Sequence, residues 1–315
     1  MDFAPSLRLN NGIDIPQLAF GTSDDSREAV QKAVEVAIET GFRHIDSAMF
    51  YGVEKEVGLA VADAIRKHNL KREDFFITSK LWCDSHAPDI VRKTCEQSLK
   101  NFGLTYLDLY LIHWPVSFHL KDGANYDLMD SSALAYEYHK LEDTWKAMEE
   151  LVHVGLVKSI GVSNFNKRQL ERILAAGTIP PAVNQVEVNL HCLNAKLIEF
   201  CHSKGIQVAA YAPLGATGPM KDELGSPMDL ECVIDIAKRH NKTPAQVLLR
   251  HAFQRNLVVI SKSITPERIK SNYMILDFEL SNDEMDVLRK AGVNRRYFEV
   301  LAFKGHPEYP FHDDY

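Results

Sequence analysis

The sequence predicts an α/β protein whose 315 residues form one closed (β/α)8 barrel, and three observations support this prediction. Eight short apolar runs alternate with stretches of helical periodicity along most of the chain. Most of these runs lack polar alternation, which is typical of strands buried on both faces of a parallel sheet. Single α/β barrels commonly have this length, although an open doubly wound sheet with a second domain remains the alternative.

The eight candidate strands are short, and helical segments lie between them. They span residues 18–21, 43–46, 75–80, 108–113, 158–162, 182–187, 207–211 and 257–262. One face of the first predicted helix carries Ala29, Ala33, Val36, Ala37 and Thr40. One face of a later predicted helix carries Leu141, Trp145, Met148, Leu151 and Val152.

Capping residues indicate where several helices begin and end. Thr243-Pro244 and Thr265-Pro266 each place a hydroxyl before a proline that suits the first helical position. Ser281 and Glu284 have the spacing of a capping box. The glycines that end helices are Gly41, Gly155, Gly177 and Gly205.

Four segments lie outside the repeating units of the single domain predicted over residues 1–315. Residues 1–17 are expected to form a hairpin that closes the bottom of the barrel, with its turn at residues 10–12. Residues 117–137 and 213–229 are long connections with little periodicity, and 292–315 is a tail rich in aromatic residues. Long segments of this kind usually carry function, so we expect them over the active-site face.

Composition excludes several classes of protein. The chain is 45% hydrophobic and 25% charged, with a net charge of −7, so nucleic acid and membranes are not expected partners. No apolar stretch approaches the roughly 20 residues of a membrane helix, and the first residues lack a signal-peptide pattern. A cytoplasmic protein with five reduced cysteines is therefore predicted. Neither G-x-G-x-x-G nor H-E-x-x-H occurs, which argues against a Rossmann nucleotide site and that zinc-protease motif.

Four polar residues at or near strand ends suggest an acid catalyst. In a barrel of this type the strand ends that lead into helices share one face, which brings Asp46, Lys80 and His113 together. Tyr51 lies five residues beyond Asp46, so its loop can fold back over the opening. Lys80 is expected to lower the pKa of this phenol from about 10, while Asp46 holds the ammonium and His113 orients a carbonyl oxygen. The alternative is a surface tyrosine beside a buried Asp–Lys pair. Considered alone, an aspartate at a strand end caps the next helix more often than it takes part in catalysis.

The remaining strand ends suggest a site for a hydride donor. The Tyr211 ring could stack on a nicotinamide, and Ser163, Asn164 and Gln185 suit its carboxamide. Lys262 and Ser263 precede a predicted helix on which Arg268 and Asn272 share a face. A helix N-terminus with an ammonium and a guanidinium is suited to a ribose phosphate, although exposed helix-surface charges are the alternative.

These motifs resemble the aldo-keto reductase superfamily, specifically the branch of aldose reductase and the hydroxysteroid dehydrogenases. The resemblance covers nearly the whole chain and is strongest at residues 41–46, 78–82, 107–115, 160–165, 184–187, 211–215 and 262–272. It implies a catalytic tetrad of Asp46, Tyr51, Lys80 and His113, with Tyr51 as general acid. It also implies NADPH/NADP+ as cofactor, bound by Gly21, Thr22, Asp46, Ser163, Asn164, Gln185, Tyr211, Leu214, Lys262, Ser263, Arg268 and Asn272.

The predicted function is NADPH-dependent reduction of aldehydes and ketones to alcohols by a monomer. Substrates would be hydrophobic, sugar or steroid-type carbonyl compounds, in a pocket formed by Trp82, Trp114, Phe118, Tyr297 and Phe298. The alternative is a non-enzymatic NADPH-binding partner or structural protein on the same scaffold, similar to channel β-subunits or crystallins. A metal-dependent barrel hydrolase is a third possibility, but the strand ends lack paired metal ligands, and no metal is predicted.

Overall fold

The computed structural model describes residues 4–23, 26–124, 127, 129–216, 223–313 and 315. Its strands are β1 (Ser6–Arg8), β2 (Asp14–Pro16), β3 (Leu18–Gly21), β4 (His44–Asp46), β5 (Phe76–Leu81), β6 (Leu107–Ile112), β7 (Ser117–Leu120), β8 (Leu134–Glu137), β9 (Val157–Ser163), β10 (Val183–Glu187), β11 (Gln207–Tyr211) and β12 (Val258–Ser261). The helices of these segments are α1 (Arg27–Thr40), α2 (Glu54–His68), α3 (Pro88–Phe102), α4 (Leu141–His153), α5 (Lys167–Ala176), α6 (Ala195–Ser203), α7 (Glu231–His240), α8 (Pro244–Gln254), α9 (Pro266–Tyr273) and α10 (Asn282–Lys290).

Eight parallel strands close into a barrel in the order β3-β4-β5-β6-β9-β10-β11-β12, which confirms the predicted (β/α)8 fold. The observed strand ends differ from the predicted ones by no more than one residue. Such differences arise because the terminal residues of a strand pair incompletely with their neighbours. Since all eight strands are parallel, their carboxyl ends meet on one face of the barrel.

The buried face of α1 is rotated by about one residue from the predicted face. Ala33 and Ala37 are buried as expected, whereas Ala29, Val36 and Thr40 are partly exposed. The complete buried set is Val30, Ala33, Val34, Ala37 and Ile38. This orientation buries the larger side chains, which gain more from leaving water. On α4 all the predicted face is buried except Val152, which is half-buried.

The N-terminal hairpin is present and closes the lower end of the barrel, as predicted. Strands β1 and β2 pair antiparallel, and Gly12 has the positive φ of 82° that its tight turn requires. Leu9 and Ile15 are almost fully buried against side chains of the barrel interior, including Phe76 and Leu111. The barrel is therefore accessible from the opposite, carboxyl face of its strands.

The helix caps agree with prediction at two positions and disagree at a third. The Thr243 hydroxyl accepts a hydrogen bond from the backbone N–H of Gln246, and Ser281 forms the expected capping box with Glu284. Thr265 was wrongly predicted to cap α9: its side chain makes no capping hydrogen bond. Instead its own N–H donates to the Ser263 hydroxyl at 3.1 Å, so the polar contact lies before the helix.

The segment expected to be a loop at residues 117–137 contains a second hairpin, in which β7 and β8 pair antiparallel. The tail at 292–315 lies over the carboxyl face, since Asn166, just beyond β9, donates to the carbonyl of Pro310 at 2.9 Å. Within the tail, Val300 has a left-handed backbone with φ of 49°, which is unusual for a β-branched residue. Residues 125, 126, 128, 217–222 and 314 of the three predicted segments lie outside the described residues.

Two further predictions concern thiols and membranes. All five cysteines are free, and Cys83, Cys95, Cys192 and Cys201 are buried, as expected of packed thiols. Among the helices of the described segments, none is long and apolar enough to cross a membrane.

Candidate active site

The centre of the carboxyl face is a buried ion pair between Asp46 and Lys80. Asp46 is the last residue of β4, and Lys80 lies on the neighbouring strand β5. The Lys80 Nζ atom is 2.6 Å from Asp46 Oδ1 and donates a second hydrogen bond of 2.9 Å to the carbonyl of Ser47. Lys80 is completely buried. Because an unpaired ammonium would be costly there, Asp46 fixes both its charge and its position.

Tyr51 is carried to this pair by a single 3-10 turn, Met49–Tyr51, which follows β4. Gly52 ends the turn with φ of 66°, a left-handed conformation that a side chain would disfavour. The Lys80 Nζ atom lies 5.1 Å from the centroid of the Tyr51 ring. The loop therefore folds back over the barrel as the spacing predicted, and brings the phenol beside the ammonium.

The net pKa of Tyr51 was predicted wrongly. Burial raises this pKa above its usual value, and although Lys80 lowers it as expected, Asp46 adds to the increase. Burial is also the largest influence on the pKa of Lys80 and lowers it, but attraction to Asp46 and Tyr51 more than compensates. At neutral pH the site thus contains a protonated phenol beside a charged ammonium. This is the protonation state that a proton donor requires.

His113 completes the group directly after β6. Its ring centroid is 5.7 Å from that of Tyr51, and the two rings are nearly perpendicular at 81°. Burial, followed by repulsion from Lys80, keeps the pKa of His113 well below its usual value. The imidazole is therefore neutral at pH 7 and can donate one hydrogen bond. Its Nδ1 is buried without a hydrogen-bond partner in the described part of the chain.

A hydrogen-bonded network continues the site across β9, β10 and β11. Gln185 Nε2 donates to Asp46 Oδ2 at 2.7 Å, so this amide is linked to the ion pair. The Ser163 hydroxyl donates to the carbonyl of Gln185, and the Tyr211 hydroxyl donates to Asn164 Oδ1 at 2.8 Å. Asn164 also donates to the carbonyl of His113 at 3.0 Å. The predicted carboxamide partners therefore converge beside the tetrad.

The residues expected to hold a phosphate lie where β12 passes into α9. Lys262 and Arg268 are exposed, Ser263 is half-buried, and Asn272 is 6% exposed on the inner side of α9. Because Thr265 does not cap α9, its side chain does not occupy the first-turn N–H groups, which attract anions. Two cations beside such a helix end suit a dianionic phosphate.

Three further predicted cofactor residues lie at or just beyond strand ends on the same face of the barrel. Gly21 ends β3, and the hydroxyl of the next residue, Thr22, donates to the carbonyl of Asp46 at 3.0 Å. Leu214 is half-buried at the margin of the core, just beyond β11. Amide groups, an aromatic ring and paired cations on one face of the barrel match the chemistry of a dinucleotide, so the residues present fit the predicted cofactor.

The five residues predicted to line a substrate pocket occupy different surroundings. Trp82 lies beside His113 with ring centroids 5.0 Å apart, and Phe298 contacts the edge of Tyr211 at 5.7 Å. Phe298 is half-buried, whereas the other four, Trp82, Trp114, Phe118 and Tyr297, are buried. Trp114 and Phe118 pack on Phe303 of the tail, and the Tyr297 hydroxyl donates to the carbonyl of Gly225.

The sequence prediction missed Phe50, which lies immediately before Tyr51. Its ring stacks on Trp82 with centroids 3.8 Å apart and an angle of 16°. It is 39% exposed, a large value for an aromatic ring next to buried polar groups. Its position next to Tyr51 could have identified it from the sequence, because a loop that brings the proposed acid to the opening also brings the neighbouring side chain there.

The described residues contain no cluster of three or more His, Cys, Asp or Glu side chains that could hold a metal ion. A metal-dependent hydrolase therefore has no supporting site among them.

Comparison with known proteins shows similarity over nearly the whole chain. Residues 17–292 match the sequence model of the aldo/keto reductase family. The chain is 44% identical over 319 residues to estradiol 17 beta-dehydrogenase 5 of Mus musculus, covering 98% of each sequence. The structure of aldose reductase from Schistosoma japonicum matches at a TM-score of 0.91 and 47% identity, covering 100% of both chains. A Bombyx mori aldo-keto reductase in complex with NADP matches at 0.89 and 36% identity, covering 98% of this chain and 100% of that one.

Proposed function

Since the chain belongs to the aldo/keto reductase family, we propose that Asp46, Tyr51, Lys80 and His113 form its catalytic site. The chain is an oxidoreductase that reduces carbonyl groups with NADPH. The observation that supports the proposed site is the buried Lys80 ammonium, held 2.6 Å from Asp46 and beside the Tyr51 ring. An aliphatic ammonium buried at the end of a barrel strand is costly, and a proton-transfer site provides a reason for it.

Tyr51 is the proposed general acid. Its raised pKa keeps the proton on the phenol at neutral pH, and Lys80 stabilises the phenolate that remains after the proton is given up. Asp46 holds Lys80 in place through the reaction. Neutral His113 donates a hydrogen bond to the carbonyl oxygen and directs it toward Tyr51. NADPH, when bound, supplies the hydride that reduces the carbonyl carbon.

The proposed cofactor contacts come from the strand ends on the carboxyl face of the barrel. Ser163, Asn164 and Gln185 would hold the carboxamide, and Tyr211 would pack against the nicotinamide ring. Lys262 and Arg268, with Ser263 and Asn272, would bind the 2′-phosphate and so favour NADPH over NADH. Gly21, Thr22 and Leu214 would line the same cofactor site.

We propose apolar ketones of the steroid type as substrates, ahead of sugars. Phe50, Trp82 and Phe298 place aromatic surface around the polar centre, which favours flat apolar molecules. The mouse relative is named for its action on estradiol. The non-enzymatic alternative has no support from the relatives, whose names are those of dehydrogenases, reductases and synthases.

A monomer located in the cytoplasm, without nucleic-acid or membrane partners, completes the proposal. The net charge of −7 supports the absence of nucleic-acid and membrane partners, because nucleic acid and anionic lipid surfaces repel an acidic protein. Size-exclusion chromatography with light scattering would measure the oligomeric state. A molar mass twice that of the chain would contradict the proposed monomer.

The Tyr51→Phe variant tests the catalytic site. We expect NADPH oxidation with an aromatic aldehyde to fall by about a thousandfold or more, because the proton donor is lost. The dissociation constant for NADPH, measured by fluorescence titration, should change by less than about threefold, since the phenol only contacts the reacting centre. Turnover close to that of the wild type would refute the assignment of Tyr51.

A further inference from the structure

We propose that Glu187 is a positioning residue that holds the C-terminal tail over the active site and thereby determines the use of large carbonyl substrates. This inference rests on the proposed function, because it takes the reacting centre to be the group around Tyr51. It assigns a purpose to Glu187, a carboxylate at the end of a barrel strand that the proposed proton transfer does not use.

The carboxylate of Glu187 binds the backbone of the tail directly. Glu187 is the last residue of β10 and is completely buried. Its Oε1 atom accepts the backbone N–H of Tyr297 at 2.9 Å, and its Oε2 atom accepts that of Phe298 at 3.0 Å. Asn189 Nδ2 also donates to Oε1, at 3.1 Å. Two consecutive N–H groups of the tail are therefore bound to a residue 110 positions earlier in the chain.

These hydrogen bonds fix a side chain at the edge of the site. Glu187 is paired in register with Tyr211 on the neighbouring strand β11. The Phe298 ring meets Tyr211 at 5.7 Å and 76°, so the clamped residue forms part of the wall beside the proposed nicotinamide position. The tail then turns sharply at Val300 and packs against Trp82 and Trp114. Moving residue 298 would consequently displace the side of the opening that a large substrate touches.

A carboxylate is required at this position because both N–H groups point at it. A glutamine side chain of the same size has one acceptor oxygen, so its NH2 group would face one of the two backbone donors. A buried donor without an acceptor destabilises the arrangement that contains it. Glu187→Gln therefore loosens the tail while leaving the volume of the side chain unchanged.

The test measures Glu187→Gln with one large and one small substrate. We expect kcat/KM for a keto-steroid to fall by about tenfold, the usual effect of losing one buried hydrogen bond. The value for 4-nitrobenzaldehyde should change by less than about threefold, because a small aldehyde reaches only the polar centre. Brief trypsin digestion should cut the variant faster than the wild type after Arg295, Arg296 or Lys304, while cleavage elsewhere is unchanged.

Glu149→Gln is the matched control. Glu149 on α4 is also a buried carboxylate, and its Oε1 atom accepts the backbone N–H groups of Thr178 and Ile179 at 2.5 and 2.6 Å. That loop precedes β10 and therefore lies at the opposite end of the barrel. This control removes a buried carboxylate charge, but the glutamine oxygen can still accept the N–H groups that Glu149 Oε1 accepts. We expect it to leave the ratio of kcat/KM between the two substrates unchanged.

A double variant separates positioning from general destabilisation. If Glu187 acts through the tail, adding Glu187→Gln to Phe298→Ala should reduce steroid activity by less than the product of the two single effects. Equal losses for both substrates, or a selectivity change in Glu149→Gln as large as that in Glu187→Gln, would overturn the inference. Failure of the proposed function would be recognised separately, since Tyr51→Phe would then retain turnover with the small aldehyde.

Discussion

Asp46 and Glu187 are both buried carboxylates at the ends of barrel strands, yet their surroundings differ. Asp46 Oδ1 faces the ammonium of Lys80, and its other oxygen accepts from the side chain of Gln185. Glu187 faces backbone N–H groups of Tyr297 and Phe298 and the amide of Asn189. A carboxylate paired with a titratable group can influence proton transfer, whereas one paired with peptide dipoles can only hold the backbone. The partner, rather than the position on the strand, therefore indicates the role.

The difference also appears in how each region is built. Asp46 and its partners Lys80 and Gln185 all lie on strands of the barrel, so the geometry of this region depends on the barrel itself. The Glu187 region joins a strand to a tail that is distant in sequence and contains the unusual backbone of Val300. We therefore expect changes near Asp46 to affect every substrate, and changes near Glu187 to discriminate among substrates.

The largest effect that sharpens this contrast is expected for Asp46→Asn. The amide leaves the completely buried Lys80 without a charged partner, so the free energy of unfolding should fall by about 3–5 kcal/mol. We expect kcat to fall by about a hundredfold or more for large and small carbonyl substrates alike, because Lys80 would no longer be held beside Tyr51. Chemical denaturation and steady-state kinetics provide the two measurements.

Asp108→Asn is the control for that variant. Asp108 is a buried carboxylate near the start of β6, 2.7 Å from Arg72 and 3.3 Å from Lys158, at the end of the barrel away from the site. It should lose stability while keeping kcat within about threefold of the wild type at a temperature where it is folded. A comparable loss of kcat in both variants would mean that the Asp46 effect is structural.

A smaller effect is expected from Arg268→Ala, which removes an exposed charge. The dissociation constant for NADPH should rise by about 10- to 100-fold through loss of a charge-assisted contact to the 2′-phosphate. That for NADH should change by less than about threefold. The exposed Arg289 on α10, which pairs with Asp286, provides a control variant to alanine that should alter neither. An equal effect on both nucleotides would place Arg268 away from the 2′-phosphate.

The smallest expected effect is that of pH on reduction of a small aldehyde. Because burial raises the pKa of Tyr51, the phenol stays protonated, and kcat should be constant from about pH 6 to about pH 9. The pKa of His113 lies well below its usual value, so its titration should not appear in that range. Activity should decrease only as the pH rises toward the raised pKa of Tyr51. A decrease centred near pH 7 would contradict these directions.

Much of the fold and of the candidate site could be predicted because both follow from local patterns. Short apolar strands ending in Asp46, Lys80 and His113 converge wherever parallel strands close into a barrel. The N-terminal hairpin was also predictable, since its turn contains a glycine between two extended runs.

The parts that could not be predicted depend on distant contacts. The pKa of Tyr51 is set mainly by burial, whose extent only the folded chain determines. Residues 117–137 show little hydrophobic periodicity, so the sequence did not predict that β7 and β8 pair. The donors to Glu187 come from the tail, and no local pattern connects residue 187 to residue 297. Thr265 precedes a proline, as a capping residue often does, but its hydroxyl makes no capping hydrogen bond. Its backbone N–H donates to the Ser263 hydroxyl, a contact that the sequence did not indicate.

The closed lower end of the barrel has a kinetic consequence. Leu9 and Ile15 of the hairpin fill that end, so nucleotide and carbonyl compound have to enter and leave through the same opening. Ser163, Asn164 and Gln185, the residues proposed to hold the nicotinamide, are buried, so a substrate bound at the opening would obstruct exchange of the nucleotide. The enzyme is therefore expected to bind the nucleotide first and release it last, and an alcohol product present in excess should slow turnover by trapping the oxidised nucleotide.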